Sequence, residues 1–355
     1  MPSNKLNNTS QRKKEHIELC LTDQVAFKTK SSGFENYDFK HFAITELKIS
    51  EIELTSSFFG KNVSHPFLIS CMTGGTSEAE NLNAMLAIAA NELNIPIGVG
   101  SQRQLLENDN FLDSYKTIRK NAKNIPVIGN IGAAQVANGL SIDKLKYLID
   151  IIEADAFAIH LNPLQEMVQK GGEPDFSGLL KAIEKLVVSQ PGIPFIAKEV
   201  GAGISKKAAQ MLLEAGIKGI DVSGAGGTSW SGVEILRNQK KGISPEEDNL
   251  FWDWGLPTSY CIKKVKKLKN KYDFVLVGSG GINNGIDAAK ALALGADFVA
   301  SARLILQQLE KFGIEGVIRL IHNWSDVVRK VMFLTGCRKL KELKKNKLIK
   351  LGEMY

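Results

Sequence analysis

Short apolar runs alternate along this chain with longer stretches in which apolar residues recur every three or four positions. The runs are Phe67–Ser70, Ile95–Gly100, Val127–Ile131, Ala156–Leu161, Phe195–Val200, Gly219–Val222, Phe274–Val277 and Phe298–Ser301. Continuous apolar runs of this kind fit parallel strands covered on both faces. The helical stretches between them include Ala79–Leu93, Ile142–Ile152, Phe176–Val188, Lys206–Ala215 and Gly285–Leu294. Eight such units predict an α/β fold, a closed (β/α)8 TIM barrel. An open doubly wound sheet fits less well, because no G-x-G-x-x-G follows the first strand.

Before the first strand, a short helix is expected over Lys13–Leu21, behind an Asn- and Ser-rich start that should fray. β-like pieces fall around Ile44–Leu54. The predicted organisation is an N-terminal extension with a substrate-clamping helix (1–65), a barrel (66–310) and a C-terminal helical extension (311–355). The excursion at 224–256 shows little periodicity and reads as a lid or mobile segment, above all over 238–250.

The chain has 355 residues, 44% of them hydrophobic and 23% charged, which is enough to bury a large core. It has no apolar run long enough to span a membrane and no secretory h-region. Its four cysteines, Cys20, Cys71, Cys261 and Cys337, form no C-x-x-C. That argues against a zinc site or redox pair and fits a reducing, cytoplasmic setting. The net charge of +7 gathers in residues 338–350, which hold seven basic groups and one acid. This tail reads as a terminal helix with a solvated face rather than a nucleic-acid interface.

The chemistry of such a barrel lies at the C-terminal ends of its strands. The densest exit is His160-Leu161-Asn162-Pro163-Leu164-Gln165-Glu166. A helix cap explains Asn162 and Pro163 but not His160, Gln165 and Glu166. Glu166 fits either a helix first turn or a Mg²⁺ ligand that works with substrate oxygens. Gly280 and Gly281 after strand seven, with Ala302 and Arg303 after strand eight, fit a phosphate site. Lys198, inside an apolar strand, fits either an ion pair with a nearby acid such as Glu199 or a cation beside an electron-rich ring. Arg12, Lys13 and His16 form an R-K-x-x-H group whose Arg12 and His16 share a helix face. They read as a basic surface or, with Ser101, Gln102, Arg103 and His160, as a diphosphate clamp.

These residues resemble a known family, the FMN-dependent type 2 isopentenyl diphosphate isomerases. The matching motifs are R-K-x-x-H at 12–16, MTGG at 72–75, GSQR at 100–103, HLNPLQE at 160–166, KEVG at 198–201, DVSGAGGTSW at 221–230, SGG at 279–281 and ALALGAD at 291–297. Cys71 departs from the small residue usual there. The resemblance implies interconversion of isopentenyl and dimethylallyl diphosphates over reduced FMN with Mg²⁺, NADPH as reductant, and a tetramer or octamer. It implies that Arg12, Lys13, His16, Ser101, Gln102, Arg103, His160, Asn162 and Gln165 contact substrate, with Gln165 at the allylic carbon. Glu166 would hold Mg²⁺. Cys71, Met72, Thr73, Ser101, Asn130, Lys198, Ser223, Thr228, Gly280, Gly281, Ala302 and Arg303 would contact FMN. Two alternatives remain, an FMN-dependent oxidoreductase of a small acid on a related barrel and a non-catalytic phosphate-binding barrel. The histidines, at 16, 41, 65, 160 and 322, leave no base near the strand-seven exit.

Overall fold

The computed structural model describes residues 3–353 apart from Ser244 and Asn346, with side chains from Gln11 onward. The eight apolar runs form a closed parallel barrel. Its strands are β1 (Phe67–Ile69), β2 (Ile97–Gly98), β3 (Val127–Gly132), β4 (Ala156–Leu161), β5 (Phe195–Glu199), β6 (Gly219–Asp221), β7 (Val275–Ser279) and β8 (Phe298–Ser301). β8 closes on β1 with Val299 opposite Phe67.

Alternation along each strand divides the apolar residues into two cores. Leu68, Ile128, Ala158, Ile196, Val277 and Ala300 fill the barrel interior together with Phe58 and Val63. Ile69, Phe157, Ile159, Ile220, Leu276 and Val299 face the surrounding helices. Phe58 and Val63 lie on a hairpin, Ser56–Phe58 with Lys61–Val63, that plugs the base, where Phe58 packs edge-on against Phe298 at 5.1 Å. Layers of side chains therefore close the lower barrel, and the open end is the mouth where the strands terminate.

Four helices matter for the site: α1 (Ser3–Cys20), α2 (Pro163–Val168), α3 (Trp230–Lys240) and α4 (Arg303–Leu334). α4 breaks at Gly313, whose φ of 64° and ψ of −158° are not helical.

Four expectations need correction. α1 starts at Ser3, well before Lys13. Ile44–Leu54 forms no strand, only the 3-10 turn Ile49–Glu51 and a single bridge from Glu53 to Lys339. The excursion after β6 is not structureless but holds α3 and a 3-10 turn, Glu246–Phe251. The basic tail is helical only over Leu340–Leu343, after which Leu348–Lys350 pairs antiparallel with Tyr37–Phe39. Its lysines are partly consumed indoors: Lys344 reaches Asp297 at 2.6 Å, and Lys347 donates to the Thr335 carbonyl at 2.8 Å. Among the described residues no helix is long and apolar enough to cross a membrane. All four cysteines are free thiols.

Candidate active site

One cavity at the barrel mouth gathers all the residues singled out above for flavin, substrate and metal except Gln102. The Gln102 side chain is fully buried instead. Its amide donates to the Leu148 carbonyl at 2.8 Å and accepts from the Asn130 N–H at 3.0 Å, so both ends serve the fold.

The wall over β6, β7 and β8 is made mostly of backbone. Gly280 and Gly281 have φ of 101° and 66°, and a Cβ on either would strike the carbonyl of Gly224 or Gly226. The loops after β6 and β7 thus touch where glycine alone fits, and their N–H groups can approach an anion closely. Thr258 pins this turn by donating to the Ser279 and Gly280 carbonyls at 3.1 and 2.7 Å. Ser223, at the β6 exit, has a φ of 34°, strain that a non-glycine residue seldom carries without a functional reason. Arg303 opens α4 beside Ala302, and its buried Nη1 has no partner in the protein. A buried guanidinium nitrogen without an acceptor calls for one, and a phosphate at a helix N-terminus supplies it. The cradle therefore fits the phosphate end of FMN.

The opposite wall is made of interlocked side chains. Pro163 starts α2, while Asn162 at its N-cap makes no capping bond. Its Nδ2 donates instead to Gln165 Oε1 at 3.2 Å and Glu166 Oε1 at 2.9 Å, and its own Oδ1 is buried without a partner. Gln165 Nε2 donates to Glu234 Oε1 on α3 at 2.9 Å, so both ends of this amide are fixed. Glu234 is fully buried, accepts from His16 Nε2 at 2.8 Å, and forms an ion pair with Arg237, one turn along α3. Glu166 Oε2 accepts the Glu173 N–H at 2.8 Å. A carboxylate has about four acceptor positions, so Glu166 keeps capacity for a metal ion. With the orphaned Asn162 Oδ1 beside it, the donor set suits Mg²⁺, a hard cation that takes few protein oxygens. Arg103 is held at 2.6 Å from Glu173. Lys13 spends its three donors on the Gly74 carbonyl, the Ser101 carbonyl and the Tyr115 hydroxyl at 2.7, 3.1 and 3.0 Å, and so fastens α1 to the mouth.

The electrostatics follow from burial. His160 is pushed down to about 4, first by burial and then by Lys198, Lys13 and Arg103. It is therefore neutral at pH 7, and its Nδ1–H donates to Asn130 Oδ1 at 3.0 Å, because the Asn130 amide nitrogen already bonds the Val99 carbonyl. Burial also lowers His16 despite Glu234. Burial works to raise Glu234, but hydrogen bonds from His16 and Gln165 and the charge of Arg237 overcome it and hold it at about 2. Arg237 acts together with His16 to keep Glu234 ionised. Lys13 falls to about 7 through burial and the neighbouring Arg12.

Lys198 does pair with a nearby acid, though not with the Glu199 side chain. It forms an ion pair with Asp221 of the adjacent β6 at 3.1 Å, and donates to the Glu199 backbone carbonyl at 3.2 Å. The Glu199 carboxylate turns away to accept four backbone N–H groups, from Val200 to Gly203, with its Oε2. Burial raises it to about 7 against the pull of those amides.

The sequence reading missed Glu234, Arg237 and Asp221. A signal was present for the first two, since Glu234 interrupts the apolar Val233–Leu236 stretch and Arg237, of opposite charge and three residues on, ends it.

Comparison with known proteins agrees with this geometry. The model of the FMN-dependent dehydrogenase family matches residues 7–108 and 162–350. The chain belongs to that family of flavin-binding barrels. Among curated relatives, isopentenyl-diphosphate delta-isomerase of Pelodictyon phaeoclathratiforme is 42% identical over 351 residues, covering 96% of this chain and 97% of the relative. The enzyme of that name from Pyrococcus abyssi is 43% identical over 351 residues, covering 96% and 92%. Within the family, then, the chain falls among the isopentenyl-diphosphate delta-isomerases. Solved structures show the same fold at low identity. A flavocytochrome b2 variant with sulfite bound gives a TM-score of 0.68 at 18% identity, covering 94% of this chain and 82% of that one. A mandelate oxidase variant gives 0.62 at 15%, covering 92% of each.

Proposed function

We propose that this protein interconverts isopentenyl and dimethylallyl diphosphates, a step of isoprenoid biosynthesis, using FMN in its reduced state together with Mg²⁺. The observation that carries this reading is the pairing of two walls. A backbone cradle suited to one phosphate group faces a cationic, carboxylate-bearing wall suited to a second, with a clamped neutral amide on that second wall.

The reaction removes a proton from C2 and adds one at C4, with no net change in oxidation. Protonating an unactivated alkene needs a strong, well-placed acid. Gln165 is a neutral amide and His160 is neutral at pH 7. Reduced flavin supplies the proton-transfer chemistry next to the alkene, and the protein supplies position. Arg12 and Arg103 grip the diphosphate with Ser101 beside them, and Lys13 anchors α1; His16 and His160, whose N–H groups are committed to Glu234 and Asn130, line this side and would donate to the diphosphate only on protonation. Glu166 holds Mg²⁺ on the diphosphate, with Asn162 beside it. Gln165 faces the allylic carbon, aligned by Asn162 and Glu234. Cys71, Met72, Thr73, Asn130, Ser223 and Thr228 line the flavin side with Lys198, Gly280, Gly281, Ala302 and Arg303. We assign NADPH as the reductant, a homo-oligomer of four or eight chains as the working form, and the cytoplasm as its location. Residues 1–65 form an N-terminal extension whose helix α1 clamps the substrate at the mouth.

The oxidoreductase alternative needs a base at the β7 exit. That exit is Gly280-Gly281-Ile282-Asn283, and the only histidines lining the cavity among the described residues are His16 and His160. Product analysis with isopentenyl diphosphate, FMN, a reductant and Mg²⁺ tests the proposal. Dimethylallyl diphosphate formed only when all are present is the expected result. Unchanged turnover after removal of all flavin would refute it.

A further inference from the structure

Lys198 lines the cavity, but Asp221 does not. Asp221 stands behind it, 3% exposed, on the next strand and in direct register with Lys198. Its Oδ2 lies 3.1 Å from Lys198 Nζ, and its Oδ1 accepts from Ser279 Oγ on β7 at 2.5 Å. Three consecutive strands thus contribute one residue each to a buried row of cation, carboxylate and hydroxyl. An ammonium has three donors. Two are accounted for by Asp221 and the Glu199 carbonyl, which leaves one for the cavity.

We infer that Asp221, anchored by Ser279, is a positioning residue that sets the charge Lys198 presents to the flavin. A buried cation without a partner is costly, so Asp221 offsets the charge of Lys198 and fixes its direction. The same carboxylate also cancels part of the field, because a bound flavin faces a cation with an anion behind it rather than a free positive charge. Protein charge next to the ring is one of the few means a flavoprotein has for tuning its cofactor. The row therefore limits how far the protein stabilises anionic reduced flavin and keeps the N1 proton of the reduced ring within reach of exchange. Ser279 adjusts the balance by sharing the charge of Asp221.

This inference rests on FMN occupying the mouth, as proposed above. The test is Asp221→Asn, which keeps the shape and an acceptor for Lys198, turns the Ser279 hydroxyl from donor to acceptor, and removes the charge. In the FMN-loaded protein the midpoint potential of the flavin should become more positive, and the absorbance of the reduced form should shift toward the anionic species at a lower pH than in the parent. Ser279→Ala should move both readouts the other way and by less, since an unshared carboxylate opposes Lys198 more strongly. If Asp221→Asn does not fold, the Ser279→Ala shift decides alone. Tight FMN binding with an unmoved potential and spectrum, or with shifts of the same sign in both variants, overturns the role of Asp221. Failure of the parent protein to bind FMN overturns this inference together with the proposed function.

Discussion

The two ends of the barrel both carry cavities rich in charge, yet they are built differently. The base cavity, at about 790 Å³, is lined by lysines and acids, several of them paired with one another. Asp297 holds Lys269 at 2.5 Å and Lys344 at 2.6 Å and accepts the Leu276 N–H at 2.8 Å, while Lys339 lies 3.6 Å from Glu53. Among the described residues lining the base, none has a buried polar side-chain atom without a partner, whereas the mouth has two, Asn162 Oδ1 and Arg303 Nη1. Unsatisfied buried groups cost stability, so they persist where a ligand completes them. Charge does not separate the two ends, but hydrogen-bond bookkeeping does.

Substitutions at the mouth should remove chemistry, and those at the base should remove only stability. The largest effect is expected for Gln165→Leu, which should keep FMN absorbance and lose turnover; a fully active variant would break the assignment of this amide. Next comes Glu234→Gln, which loosens Gln165 and His16 together. Turnover should fall about a hundredfold, the usual consequence of misplacing a reacting group by about an ångström, with FMN retained. Arg303→Ala should weaken FMN binding about tenfold to a hundredfold, in line with about 1.5–3 kcal/mol for a charge-assisted hydrogen bond; fluorescence titration reads this directly. Asp297→Ala at the base should cost about 1–3 kcal/mol by stranding a buried N–H, measured by urea unfolding, with unchanged turnover and FMN affinity. A comparable loss of turnover there would erase the distinction between the ends.

The smallest expected effect is a pH dependence. His160 takes up its proton near 4 in the folded chain and near 6.5 when unfolded. Between those values the unfolded state binds more protons, so this histidine's contribution to stability falls as pH drops from 6.5 through 4. Urea unfolding of the parent and of His160→Asn across that range should show the slope reduced in the variant.

The barrel was legible because parallel strands buried on both faces leave uninterrupted apolar runs, and all eight appeared where those runs lay. The glycine wall over β6 and β7 was legible for a related reason, since glycine-rich strand exits report on backbone that must approach something closely. α3 was not legible. Its buried residues include Ser231, Gly232, Val233, Glu234, Ile235, Arg237 and Asn238, so they surround the helix and leave no amphipathic stripe. The tail misled for the opposite reason: its lysines looked solvated, and only the fold shows Asp297 and the Thr335 carbonyl waiting for two of them. Asp221 passed as one more polar residue in a motif, because its meaning lies in a neighbour across the sheet.

The pairing of Tyr37–Phe39 with Leu348–Lys350 has a consequence for biosynthesis. The first of these strands is made before the barrel and the second after it. The barrel can close domain-wise as its units emerge, but this N-terminal strand has no β partner until residues beyond the barrel have been made. The nascent chain should therefore pass through a stage in which its barrel is closed and this outer strand is still waiting for its partner.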